Sequence, residues 1–178
     1  YQLLLRDIDA IAVQLQRLQD AGVPILWRPL HEAEGGWFWW GAKGPGPAIE
    51  LWKLLYHRLT DQHQIHNLIW VWNSISPEWY PGDDYVDIVS CDVYTQPHSY
   101  GPYATEFESL VELGKRPKIV ALAENGGVPD PDMAELYGAL WSWFMTWDGE
   151  ILRNWNSSEQ LKKVYNHPLV ITLDELNL

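Results

Sequence analysis

Basic side chains are scarce in this 178-residue chain: twelve Lys and Arg stand against twenty-four Asp and Glu, for a formal net charge of −12. That balance argues against a nucleic-acid partner, because phosphate binding draws on clustered Lys and Arg that release counterions. Cysteine is rarer still. Cys91 stands alone, so no intrachain disulfide and no cysteine-based zinc site can form, and its ordinary role is that of a small buried hydrophobe. No apolar run approaches the roughly 18 residues of a membrane span, which gives no reason to expect a membrane partner. No basic segment followed by a signal core opens the sequence. Either the protein works inside the cell or its leader lies outside this sequence.

Aromatic residues are what the chain has in abundance. Twelve Trp, nine Tyr and three Phe make up 13% of it, within a hydrophobic fraction of 47%, the opposite of a disordered composition. The length suits one domain with a substantial core. Some of those tryptophans should nevertheless face a surface, and they crowd one stretch: Trp27-Arg28-Pro29-Leu30-His31-Glu32-Ala33-Glu34-Gly35-Gly36-Trp37-Phe38-Trp39-Trp40-Gly41. An acid delivered among aromatic rings is suited to sugars, whose C–H faces stack on rings and whose glycosidic bonds are cleaved by paired carboxyl groups.

Helix and strand alternate along the sequence. Residues 1–22 place Leu3, Leu4, Ile8, Ile11, Ala12, Leu15 and Leu18 at helical spacing before Gly22 stops them. Residues 23–31 read as a buried strand ending at Glu32, and residues 47–62 as a helix. Residues 67–73, 86–94 and 118–124 read as strands, with helices over 103–114 and near 131–138. Residues 140–147 read as a fifth strand, with helix as the alternative, and residues 157–166 as a helix capped by Ser157 or Ser158.

Doubly buried strands alternating with helices predict parallel βα units, in an open sheet or a barrel. Polar residues favour the barrel: Glu32, Asn73, Asp92 with Tyr94, Glu124 and Trp147 fall at strand carboxyl ends, where barrel enzymes place their catalytic groups. An open sheet would gather them at one switch point. The Gly41-Ala42-Lys43-Gly44-Pro45-Gly46 loop matches no phosphate-binding pattern. The expected fold is α/β, a parallel (β/α)8 TIM-barrel type. A full barrel takes about 250 residues, so about five βα units are expected here, in a single catalytic domain over residues 1–178 whose amino-terminal units are missing.

Glu124 is the candidate second carboxylate, since it ends an apolar strand and precedes the Asn125-Gly126-Gly127 turn. In retaining glycosidases the two carboxyl groups stand about 5–5.5 Å apart. Glu34 rivals Glu32, because alternate residues of an extended segment face the same way, but it sits beside Gly35-Gly36, where the chain turns off. His57, His63 and His66 invite a metal reading, yet no acid or thiol keeps a ligand spacing with them, and surface histidines are expected. No metal and no cofactor is expected. Trp39, Trp40, Trp70 and Trp72 are divided between further sugar platforms and core, with at least half in the core.

The segment Arg28-Pro29-Leu30-His31-Glu32 followed by Gly36-Trp37-Phe38-Trp39-Trp40-Gly41 resembles the acid/base motif of glycoside hydrolase family 26, the β-mannanase family of clan A. Ser90-Cys91-Asp92-Val93-Tyr94 is similar to the family's sixth-strand segment, and Ala123-Glu124-Asn125-Gly126 to its nucleophile segment. His167-Pro168-Leu169-Val170-Ile171-Thr172-Leu173-Asp174-Glu175 is similar to its usual ending. The resemblance implies strands four to eight of the barrel, with Glu32 as general acid/base and Glu124 as nucleophile. It further implies that His31 lies against the catalytic centre, that Trp37 stacks a sugar, and that Asp92 and Tyr94 shape the same subsite. Tyr94 would hydrogen-bond Glu124. Trp147, or less favourably Trp143, would floor the reacting sugar.

The implied activity is that of a secreted endo-β-1,4-mannanase acting on a polysaccharide. A β-1,3-1,4-glucanase or xylanase of the same family, and a truncated non-catalytic carbohydrate-binding remnant, stand as alternatives. The oligomeric state stays open.

Overall fold

The computed structural model describes residues 1–176. Its strands are hydrogen-bonded in the order β1-β2-β3-β4-β5, which is chain order: β1 is Ile25–Trp27, β2 Leu68–Asn73, β3 Ile88–Val93, β4 Ile119–Asn125 and β5 Phe144–Thr146. The chain forms two compact units, Tyr1–Val89 with Leu113–Lys118, and Ser90–Glu112 with the chain from Ile119 onward.

In the first unit, helix α1 (Gln2–Asp20) buries Ile8, Ala12 and Leu15 on one stripe. Leu3, Ile11 and Leu18 of the same apolar series are exposed. Gly22, in the left-handed region at φ 70°, ends the helix as its position predicts. β1 then pairs in parallel with β2, Ile25 opposite Leu68 and Trp27 opposite Trp70. This strand is shorter than the expected 23–31, and Leu26 is exposed rather than buried. Pro29 has no N–H to offer a ladder, and Leu30 (φ 54°) and Glu32 (φ 52°) are left-handed, so the chain leaves the sheet early.

Helix α2 (Pro45–Tyr56) starts with Pro45 in its first turn and runs into a π-helical turn, His57–Gln62, over the stretch expected to be one helix. Its Trp52 is fully buried and meets Trp70 and Trp72 edge-on, with ring centroids 5.5 Å and 5.0 Å away. Trp70 and Trp72 are therefore core and not sugar platforms. α1 is tied to the π turn by Asp9, which takes two hydrogen bonds from Arg58, each 2.7 Å, and one of 2.7 Å from His63.

In the second unit, the buried run of β4 spans Val120–Asn125. Helix α3 is Ala104–Val111, and α4 (Pro131–Tyr137) is capped by Asp130, whose carboxylate accepts from the Asp132 and Met133 N–H groups. β5 runs parallel to β4, with Leu122 opposite Phe144 and Asn125 opposite Thr146. The expected strand over 140–147 contracts to Phe144–Thr146, with a register shift between the two pairs. Helix α5 (Gly149–Trp155), capped by Asp148, was not legible in the sequence, whereas α6 (Ser158–Tyr165) begins at the expected Ser157 cap. Cys91 is buried, as its composition suggests. Among the described residues no helix is long and apolar enough to cross a membrane.

The Arg58 hydrogen bonds, and then the His63 bond, hold the Asp9 carboxyl down at about 2. A carboxyl lowered in the folded state stabilises the fold above its ordinary range, and that contribution is lost as pH falls through about 2. Asp9→Asn should therefore lower the melting temperature at neutral pH, with the gap from the parent closing toward pH 2 in thermal melts.

Candidate active site

The candidate residues fall in two groups, one in each unit. In the first, the turn after β1 places Glu32 with φ 52° and ψ 31°, and its N–H donates to Asn73 Oδ1 at 2.9 Å. A 3-10 turn, Ala33–Gly35, follows at once, with Ala33 buried. Gly41 packs on that turn so closely that a Cβ there would lie 1.8 Å from the Ala33 carbonyl oxygen. Trp37 folds back over Gly35, where a Cβ would meet its indole at 2.1 Å, and Trp37 Nε1 donates to Glu32 Oε2 at 3.1 Å. The Trp37 ring is 66% exposed, which leaves a face for a ligand.

His31 lies against Phe38 and Trp40, at 4.9 Å and 5.9 Å between ring centroids, and Trp40 Nε1 donates to the His31 carbonyl at 2.9 Å. Phe38 and Trp40 stack at 4.3 Å. The aromatic run after the acid is thus partly a scaffold. Trp39 stays exposed. The Glu34 carboxylate accepts from Ser74 Oγ.

In the second unit, Glu124 is in β4 and only 6% exposed. Tyr94, one residue beyond β3, donates its phenol to Glu124 Oε2 at 2.7 Å. A donor to a buried carboxylate replaces part of the hydration lost on burial. Asp92, half-buried in β3, is two residues earlier and so shares a strand face with Tyr94.

The backbone after Glu124 is clamped. Asn156, buried, accepts from the Val128 N–H at 2.7 Å and donates to the Gly126 carbonyl at 3.0 Å. Trp155 lies over Gly126, where a Cβ would come within 2.3 Å of the ring. The Trp147 N–H donates to the Asn125 carbonyl at 3.2 Å, and the Trp147 ring is largely exposed. Trp143 lines a separate apolar cavity of about 530 Å³ with Tyr165, Val170 and Leu173.

Asn73 was visible only as a polar strand end, and its bond to Glu32 links residues 41 apart. Ser74, Trp155 and Asn156 carried no signal in the sequence. The histidines do have acidic neighbours: His57 pairs with Asp61, four residues on, at 2.6 Å, and His63 with Asp9, 54 residues away in sequence.

Five strands hydrogen-bonded in chain order and interleaved with helices define an α/β protein of the (β/α)8-barrel type. The sequence model of glycosyl hydrolase family 26 matches residues 1–175. A mannan endo-1,4-β-mannosidase of Thermothelomyces thermophilus is 61% identical over 99% of this chain and 36% of its own length. Mannan endo-1,4-β-mannosidase B of Piromyces sp is 38% identical over 99% of the chain and 30% of its own length. The chain thus spans about a third of these curated relatives.

Among solved structures, the GH26-CBM35 β-(1,4)-mannanase of Podospora anserina superposes with a TM-score of 0.94 at 56% identity, covering 99% of this chain and 40% of that one. A β-mannanase from a symbiotic protist of the termite Reticulitermes speratus, complexed with a gluco-manno-oligosaccharide, gives 0.90 at 41% identity over 98% of this chain and 55% of that one. The chain belongs to glycosyl hydrolase family 26.

Asn156→Ala should strand the Val128 N–H and the Gly126 carbonyl in a buried setting, at roughly 1–3 kcal/mol for each group. Denaturant unfolding monitored by tryptophan fluorescence checks it.

Proposed function

We propose that this chain carries both catalytic carboxylates of a retaining endo-β-1,4-mannanase, with Glu32 as acid/base and Glu124 as nucleophile. The observation that carries the reading is Glu124 itself, a buried carboxylate whose oxygen accepts the Tyr94 phenol at 2.7 Å. A nucleophile needs to be held in place, and that bond fixes the carboxylate. The curated relatives named above are mannan endo-1,4-β-mannosidases, which supports mannan or glucomannan as the substrate class.

In the proposed cycle, protonated Glu32 gives its proton to the departing glycosidic oxygen while ionised Glu124 attacks the anomeric carbon. The C–O bond to the leaving sugar breaks and a glycosyl ester on Glu124 forms. Glu32, now ionised, takes a proton from water as the water oxygen attacks the same carbon, which releases Glu124 and restores both groups. Trp37 stacks a sugar face, His31 backs the centre, Asp92 and Tyr94 shape the reacting subsite, and Trp147 floors it. The chain forms part of a single catalytic domain. The enzyme works outside the cell, where polymeric mannan is found.

The test is a trapping experiment with a 2-deoxy-2-fluoro-β-mannosyl fluoride, followed by peptide mapping. A covalent adduct is expected on Glu124, with reducing sugar released from mannan faster than from mixed-linkage β-glucan or xylan. An adduct on any other residue overturns the assignment. Mannan binding with neither adduct nor sugar release would favour a carbohydrate-binding remnant.

A further inference from the structure

Glu34 has no part in the cycle above, yet its carboxylate is engaged. It accepts from Ser74 Oγ, and Ser74 Oγ in turn accepts from the Ser76 N–H at 3.0 Å. The single hydroxyl proton is thus committed to Glu34. Ser74 is 2% exposed and directly follows β2, whereas Glu34 lies on the surface. The preceding residue, Asn73, accepts the Glu32 N–H. Two consecutive residues at the end of β2 therefore grip two alternate residues of the turn, one through its backbone and one through its side chain.

Those grips act on a segment with few bonds of its own. Glu32 is left-handed, the 3-10 turn is three residues long, and its internal bonds are Gly35 N–H to the Glu32 carbonyl at 3.1 Å and Gly36 N–H to the Ala33 carbonyl at 3.2 Å. Gly35 and Gly36 follow, with Gly36 at φ 73°, and glycine carries the largest backbone freedom. The Ser74 grip adds to the Asn73 bond, the packing of Gly41 and the Trp37 contact in holding this turn, and its loss would let the Glu32 carboxylate drift. A misplacement of about 1 Å is enough to cost a reacting group on the order of a hundredfold in rate.

We propose that Glu34 is a positioning residue: through Ser74 it braces the left-handed turn and so fixes the carboxylate of Glu32. The kinetic part of this inference rests on Glu32 being the acid/base. The brace itself does not.

Hydrogen exchange and kinetics on Glu34→Ala, Ser74→Ala and Glu34→Gln test it. Amide exchange over residues 32–36 should speed roughly tenfold or more in the two alanine variants, the worth of one charge-assisted hydrogen bond, while α1 stays unchanged. Glu34→Gln keeps an oxygen that accepts from Ser74 and should stay close to the parent. In kinetics, kcat/KM on mannan should fall about 10- to 100-fold in Glu34→Ala. An aryl β-mannoside with a 2,4-dinitrophenolate leaving group should be nearly spared, because it needs little protonation. Unchanged exchange over residues 32–36 overturns the brace whatever Glu32 does. Faster exchange with equal loss on both substrates overturns the claim that the brace fixes the acid. Glu32→Ala run alongside separates the two ideas: equal loss on both substrates there would retire the acid/base reading, and the exchange rates would still decide the brace.

Discussion

The bond from the Glu32 N–H to Asn73 Oδ1 holds an L-residue in a backbone conformation it rarely adopts. Left-handed geometry costs a non-glycine residue roughly 1–2 kcal/mol, and Leu30, two residues earlier, is in the same region. Such strain persists only where surrounding contacts over-determine it. Here the buried Ala33, the close approach of Gly41 and the donor contact from Trp37 all fix the same turn. The aromatic loop beyond it depends on that turn. Phe38 and Trp40 are stacked to back His31, which leaves Trp37 and Trp39 as the exposed rings.

The second unit meets a different constraint, the cost of burying a charge. A carboxylate as enclosed as Glu124 loses hydration that hydrogen bonds must replace. Tyr94 supplies one. The backbone beyond the acid is held to Asn156, which uses both its oxygen and its amide nitrogen, and the glycines there are required because Trp155 and the Ser99 carbonyl occupy the space a Cβ would need. In one unit the acid is positioned by an unusual backbone, and in the other by a regular strand whose end is clamped.

Much of the fold was legible because its signals are local. Gly22 and Ser157 mark helix ends by their own chemistry, and the apolar runs of β2, β3 and β4 announce buried strands. Where the reading failed, the cause was not local. The apolar run after Val23 gives no sign that Leu30 and Glu32 are left-handed, so β1 is shorter than that run. α5 follows directly on the apolar run of β5, and its one clue is Asp148 before Gly149-Glu150. Both acids were visible as polar ends of apolar runs, and family resemblance supplied the Tyr94 contact. The Asn73, Ser74 and Asn156 contacts join residues 28 to 41 apart, and nothing in one sequence pairs them.

A carboxylate that attacks from one side and a second that protonates and then deprotonates on the other amount to two inversions at one carbon, and therefore net retention. Proton NMR of the first sugar released from a β-mannooligosaccharide, recorded before mutarotation, tests that account most directly. The β-anomer should appear first and the α-anomer only as the product equilibrates. An initial α-anomer would contradict a glycosyl-enzyme on Glu124.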